Sequence, residues 1–273
     1  MIRKKQRGII VTLVLDIPQI RDWVAEAGDI ARHYFKHTTP EWKGAANPVT
    51  IADREIERLL TGKILSAYPG HGLIGEEYGV QASDQDYLWA IDPIDGTRSY
   101  VEGLPSWSIS VGLLYRRVPV FGSIYMPLYD DWTYTDGDDV ISNDISIRDC
   151  LKSAWNADSY LLARSDFNAW YDIRFTRVMA LGSTASHLAY TARGAALAMV
   201  THGSYLWDIA AGMAILARQG GEFRLLSGEL IDFTHRDLTQ RIDEIYVAGH
   251  SQVVERLLPL IQWRERPYHH PAW

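Results

Sequence analysis

The segment Trp89-Ala90-Ile91-Asp92-Pro93-Ile94-Asp95-Gly96-Thr97 constrains this chain more than any other. An apolar run enters two carboxylates three positions apart. Pro93 fixes its own φ and biases Asp92 to extended geometry. The spacing predicts a strand ending at Asp92, then a turn, with Asp95 on its far side and the Ile94 carbonyl aimed at the same point. Three hard oxygens converging this way suit magnesium. Gly96-Thr97 then opens a turn or short helix whose first backbone N–H groups lack internal partners, and such donors suit a phosphate. An ordinary strand-to-helix turn with Asp as a cap explains one carboxylate. It does not explain two, flanking Pro and followed by Gly-Thr.

The rest of the chain must carry that site. Its 273 residues, 47% hydrophobic and 22% charged, are enough for a sizeable core. The formal charge of −7 gives no footprint for nucleic acid. It also means that an anionic substrate needs a local source of positive charge, which metal ions can supply. The single cysteine, Cys150, excludes a disulfide within the chain and fits a reducing cytosol. Met1 to Leu15 places basic residues before a short apolar run, faintly like a signal peptide but with no small-residue cleavage site. It reads as an ordered or frayed leader. No run approaches the ~20 apolar residues of a membrane span.

Periodicity predicts helices over 17–36 and 52–67, the first with Ile20, Trp23, Val24, Ala27, Ile30, Ala31 and Tyr34 on one face. Short strands are expected at 72–75, 87–91, 108–115, 120–125 and 132–135. The acidic stretch 136–149 reads as a solvated hairpin, because it lacks the central Gly and terminal Glu of a calcium loop. A weak boundary falls there. Beyond it come a strand at 160–163, a helix at 183–193, a strand at 195–200, a helix at 208–219, a strand at 245–248 and a helix at 252–261. The paired histidines of the tail, in Tyr268-His269-His270-Pro271, read as a stray terminal cluster rather than a metal site. Mixed helices and strands predict a layered α+β architecture.

Three further acidic segments accompany the central one. They are Gly75-Glu76-Glu77 at a strand end, Leu206-Trp207-Asp208-Ile209-Ala210-Ala211-Gly212 at a helix start, and Asp53 after Thr50-Ile51-Ala52. Singly, each reads as a solvated loop acid or a helix cap. Together with the central segment, they resemble the inositol monophosphatase family of lithium-sensitive, metal-dependent phosphomonoesterases. That family carries Gly-Glu-Glu, Trp-x-Ile-Asp-Pro-Ile-Asp-Gly-Thr and Trp-Asp-x-Ala-Ala-Gly in this order, and the resemblance extends over roughly 20–262.

The resemblance implies one phosphatase domain over 1–273 and an α/β/α/β/α sandwich of the inositol monophosphatase / fructose-1,6-bisphosphatase type. Its metal-binding half would span about 17–140 and its C-terminal half about 150–262. It implies a cytoplasmic, lithium-sensitive homodimer that uses two or three magnesium ions (Mg2+) and metal-activated water to hydrolyse a small-molecule phosphate monoester. Glu76, Asp92 and the Ile94 carbonyl would hold one ion, and Asp92, Asp95 and Asp208 a second, with Glu76 near a weaker third. Gly96 and Thr97 would hold the phosphate. Asp53 and the Thr97 hydroxyl would orient and deprotonate the water, with Glu76 also part of the catalytic set. Ser183, Thr184 and Asp208 would border the substrate. No nucleic-acid or membrane partner is implied. All five acids are present, which argues against a catalytically silent binding protein.

The pattern departs from the family at its rim. Inositol-specific members place an acid seven positions before the Trp-Asp aspartate, where this chain has Thr201. The hairpin over 132–147 also lacks the family's usual glycines. Arg98, after Gly-Thr, resembles some histidinol-phosphatase members. The substrate therefore stays open among inositol monophosphate, histidinol phosphate, fructose 1,6-bisphosphate and phosphoadenosine nucleotides.

Overall fold

The computed structural model describes residues 2–6, 9–43 and 47–264. Where a leader was expected, the backbone of β1 (Ile2–Gln6) and β2 (Ile9–Leu13) pairs as an antiparallel hairpin. The tail histidines lie outside the described residues. Helix α1 (Ile17–Tyr34) begins where the Asp16 side chain accepts from the Gln19 N–H, and it buries Ile20, Trp23, Val24, Ala27 and Ala31. A small antiparallel pair, β3 (Glu41–Lys43) and β4 (Asn47–Val49), leads into α2 (Ile51–Ala67). A capping box closes the start of α2: Thr50 caps the helix and Asp53 reaches back to the Thr50 backbone.

The first sheet is built from β5 (Gly72–Gly75), β6 (Gly79–Gln81), β7 (Tyr87–Asp95), β8 (Ser108–Tyr115), β9 (Val118–Met126), β10 (Asp131–Asp136), β11 (Asp139–Ser142) and β12 (Ile145–Ser146). The short helix α3 (Thr97–Val101) follows β7. Strand order is β12-β11-β10-β9-β8-β7-β5-β6, with β5 parallel to β7 and the other neighbours antiparallel. The acidic stretch 136–149 therefore extends this sheet as a short hairpin.

The second half opens with β13 (Leu161–Ala163), α4 (Phe167–Trp170), β14 (Tyr171–Ile173), β15 (Val178–Met179) and α5 (Thr184–Ala192). It continues through β16 (Ala198–Thr201), α6 (Leu206–Ala217), β17 (Gly221–Leu225), β18 (Tyr246–His250), α7 (Ser251–Leu257) and β19 (Ile261–Trp263). The second sheet runs β15-β13-β16-β18-β17. The helix expected over 252–261 is shorter, because Pro259 tightens its end into a 3₁₀ turn and the chain then pairs with β14.

Three cores define the layers. Helices α1 and α2 pack on one face of the first sheet through Trp23, Ile56, Leu60, Trp89 and Phe121. Helices α5 and α6 fill the space between the sheets with Leu188, Ala210, Ala211 and Ile215. Helix α7 covers the outer face of the second sheet with Val253, Val254 and Leu257. This gives the α/β/α/β/α order that the resemblance implied. Strand β7 is covered on both faces, which explains why it reads as an unbroken apolar run rather than an alternating one.

One contact sets the separation of the layers. A side chain on Gly122 would collide with the Ala211 backbone carbonyl, and one on Gly112 would meet Ala210 Cβ at 2.8 Å. Helix α6 thus rests on β8 and β9 at peptide-to-peptide distance.

Candidate active site

The acidic residues predicted from sequence gather where these layers meet. Strand β7 does not stop at Asp92 as expected. Its pairing with β8 skips register between Asp92 and Asp95 and resumes at Asp95 opposite Ser108. Pro93, with no N–H to give to the ladder, lies inside this bulge. Both carboxylates therefore belong to the strand, and the turn begins one residue later, at Gly96. There φ is +92°, and an added Cβ would meet the Gly182 carbonyl at 2.9 Å and Ser183 Cβ at 3.2 Å. Only glycine satisfies both the left-handed backbone and this close approach.

Asp92, Asp95 and Asp208 each offer an oxygen within 4.8 Å of the others. Asp208 comes from the first turn of α6, where its Oδ2 accepts the Tyr205 N–H at 2.8 Å. Asp95 Oδ2 accepts the Ala185 N–H at 2.6 Å and the Ser183 hydroxyl. Ser183 and Thr184 thus lie against Asp95 at the start of α5, and the Ser183 hydroxyl also meets that of Ser108 at 3.0 Å. Asp92 Oδ1 is buried with no hydrogen-bond partner.

A buried carboxylate oxygen without a donor is costly. A cation among three carboxylates removes that cost. The donor set contains only oxygen, which suits a hard divalent ion such as magnesium. Among the described residues, no three acids of 136–149 come together in this way. There Asp139 accepts from Ser146 and Asp144 pairs with Arg21.

Asp53 joins the site through α2. Its Oδ2 accepts the Thr50 N–H at 2.8 Å and the Thr50 hydroxyl at 2.6 Å, while its Oδ1 lies 3.4 Å from the Thr97 hydroxyl. That hydroxyl also donates to the Ile94 carbonyl at 2.9 Å. Asp53 therefore both closes the capping box of α2 and neighbours Thr97. Glu76 stands outside the aspartate trio, but the groups feel one another strongly. Burial first, then the charges of Asp208, Glu77 and Asp53, raises the Glu76 carboxyl well above its ordinary value. Burial and then Glu76 do the same to Asp92. Burial pushes Asp95 and Asp53 up to about 6 against their hydrogen bonds, and burial with the Asp95 charge pushes Asp208 up to about 7.

Glu57 escaped the sequence reading, and Glu77 entered it only as part of Gly75-Glu76-Glu77. Glu57 of α2 is fully buried, and its two oxygens accept the Glu77 and Tyr78 N–H groups, each at 2.8 Å. It anchors the turn that carries Glu76. The available signal was its four-residue spacing from Asp53, which puts both acids on one helix face. Glu77, whose side chain is 3% exposed, pairs with Lys43 of β3 at 2.6 Å. Thr201 is buried at the end of β16.

A profile of the inositol monophosphatase family matches residues 17–263. The fructose-1,6-bisphosphatase/inositol-1-monophosphatase of Aquifex aeolicus is 31% identical over 217 residues, covering 73% of this chain and 81% of that protein. The inositol-1-monophosphatase of Mesorhizobium japonicum is 31% identical over 230 residues, covering 79% and 83%. Among solved structures, an inositol monophosphatase from Thermotoga maritima superposes with a TM-score of 0.74 at 24% identity, covering 89% of this chain and 94% of that one. An inositol monophosphatase/NADP phosphatase complexed with Mg2+ and phosphate gives 0.79 at 18% identity, covering 93% and 97%.

Proposed function

The chain belongs to the inositol monophosphatase family, metal-dependent phosphoric monoester hydrolases, and from that premise we propose that it hydrolyses a small phosphate monoester with magnesium at the Asp92–Asp95–Asp208 centre. The unpartnered Asp92 Oδ1 within that trio carries the reading. Glu76, Asp92 and the Ile94 carbonyl would hold one ion. Asp92, Asp95 and Asp208 would hold a second, with Glu76 near a weaker third. Magnesium, when bound, supplies the positive charge that a phosphate dianion needs among carboxylates and lowers the pKa of its water.

The chain's own groups do the rest. Gly96 and Thr97 bind the phosphate through their backbone N–H groups. The Thr97 hydroxyl orients the attacking water, and Asp53 Oδ1 receives its proton. A carboxyl pushed up to about 6 is suited to that task near neutral pH. Ser183 and Thr184 keep Asp95 in place while bordering the substrate. We propose a single catalytic domain, acting as a lithium-sensitive homodimer in the cytoplasm. Among the described residues, no helix is long and apolar enough to cross a membrane.

The test is a panel of phosphate monoesters with and without magnesium. It should include inositol monophosphate, histidinol phosphate, fructose 1,6-bisphosphate and a phosphoadenosine nucleotide. We expect magnesium-dependent release of phosphate from at least one. Silence across the panel would overturn the reading.

A further inference from the structure

The proposed chemistry leaves open what holds the start of α5 in register with the first sheet. Strand β15 ends at Met179 and α5 begins at Thr184, so Ala180-Leu181-Gly182-Ser183 is the whole link between them. The far end of this link is pinned to the catalytic centre. Ser183 and Ala185 give Asp95 its hydrogen-bond donors, and the Ser183 hydroxyl also meets Ser108 of β8.

The middle of the link is just as crowded. The Gly182 carbonyl lies against Gly96, 2.9 Å from where a Cβ would stand, and a Cβ on Gly182 would itself strike the Ser99 hydroxyl. Gly182 has φ +89° and Gly96 φ +92°. Two left-handed glycines thus press together, and neither position accepts a side chain.

His187, one turn into α5, holds the peptides on both sides of Gly182. Its Nε2 accepts the Leu181 N–H at 2.9 Å, and its own N–H donates to the Ser183 carbonyl at 3.1 Å. Any residue at this place in a helix makes the second bond. Only a side chain with an acceptor at the right reach makes the first. For Nε2 to accept, the imidazole must be neutral with its proton on Nδ1. Burial secures that form: the residue is 2% exposed, and its pKa is lowered to about 4.

We propose that His187 is a positioning residue for the reaction: as a standing hydrogen-bond acceptor it fixes the Leu181–Ser183 link, and through it both the donors that orient Asp95 and the wall against which Gly96 is set. This rests on the phosphatase reading above. His187 touches neither ion nor ester. Its influence passes by two routes, Ser183 to Asp95 and Gly182 to Gly96. Removing a group that orients a metal ligand changes metal affinity or activity by about 10–100-fold. His187 acts one contact further out, so the lower end of that range is expected.

The experiment measures magnesium affinity by calorimetry in the wild type, His187→Leu, His187→Gln and Thr191→Val, together with turnover of the ester that the wild type hydrolyses fastest. Leu has no acceptor, whereas Gln returns an oxygen near the place of Nε2. Thr191→Val removes a buried bond to the His187 carbonyl without touching the link, and so reports what loosening α5 alone does. His187→Leu should weaken magnesium binding by about tenfold and lower kcat more than it raises KM, because the geometry around Asp95 counts most in the transition state. Gln should recover most of both. Thr191→Val should lower the melting temperature and leave the affinity unchanged. In wild-type protein labelled with 15N-histidine, the Nε2 resonance that disappears in His187→Gln should be that of an unprotonated nitrogen. Wild-type magnesium affinity in His187→Leu, equal losses in the Leu and Gln variants, an equal loss in Thr191→Val, or a protonated Nε2 would each overturn the proposal. The resonance decides even if His187→Leu does not fold. If magnesium binding responds as expected but no ester is hydrolysed, the phosphatase reading falls and the hold of His187 on Asp95 stands. A wild type that binds no magnesium would overturn both.

Discussion

At the scale of single residues, the site is a balance between crowding and coordination. Asp92 lies buried beside Asp95 and Asp208 with one oxygen unpartnered. Asp92→Asn should abolish magnesium-dependent turnover while the protein stays folded. It should also raise the melting temperature measured without metal, because it removes one of several mutually repelling buried charges. Wild-type turnover in this variant would defeat the metal assignment. The pH dependence has a definite sign. Carboxyls whose native pKa lies above the unfolded value bind more protons in the native state. Between roughly pH 4, where free carboxyls titrate, and about 7, where Asp208 does, stability must fall as pH rises. The metal-free protein should therefore melt lower at pH 7.5 than at pH 5, with saturating magnesium reversing the loss at the higher pH. Magnesium affinity, measured by calorimetry, should weaken as pH falls below about 7, because binding displaces protons from Asp95 and Asp208.

At the scale of elements, α2 acts as a bracket with two buried acids one turn apart. Asp53 faces Thr97, and Glu57 holds the turn after β5. Glu57→Ala leaves two N–H groups without their acceptor and should cost about 2 kcal/mol in urea unfolding. It should also weaken magnesium binding, through Glu76, with partial recovery in Glu57→Gln. A variant that loses stability but keeps metal affinity would show that the bracket does not reach the site. Glu57 was hidden from sequence because a glutamate on a helix ordinarily faces water, and only the fold over it, with Gly75 pressed against its carboxyl, decides otherwise. Elements with a strong period were legible: α1, α2, β8 and α6 fall within a few residues of expectation. The end of β7 was not, since its continuation past Pro93 depends on β8 offering Ser108 to Asp95. The five acids were legible because their motifs are dense and ordered.

At the scale of the whole molecule, the centre is assembled across layers. Asp92 and Asp95 belong to the first sheet, whereas Asp208 rides on a helix of the middle layer. Arg193, which caps the end of α5, reinforces the seam, donating to Asp131, to the Thr133 hydroxyl and to the Trp132 carbonyl on β10. Gly122→Ala, on the strand beneath α6, should therefore act at a distance. It should lower stability by about 1–3 kcal/mol through overpacking and weaken magnesium binding together with turnover. Loss of stability with unaltered metal affinity would show that α6 can shift without carrying Asp208 out of register. The bare backbones of Gly112 and Gly122 serve, in effect, as a gauge block: they set how far one sheet stands from the helix above it. An ion that needs oxygens at a fixed spacing is then measured by the absence of two methyl groups.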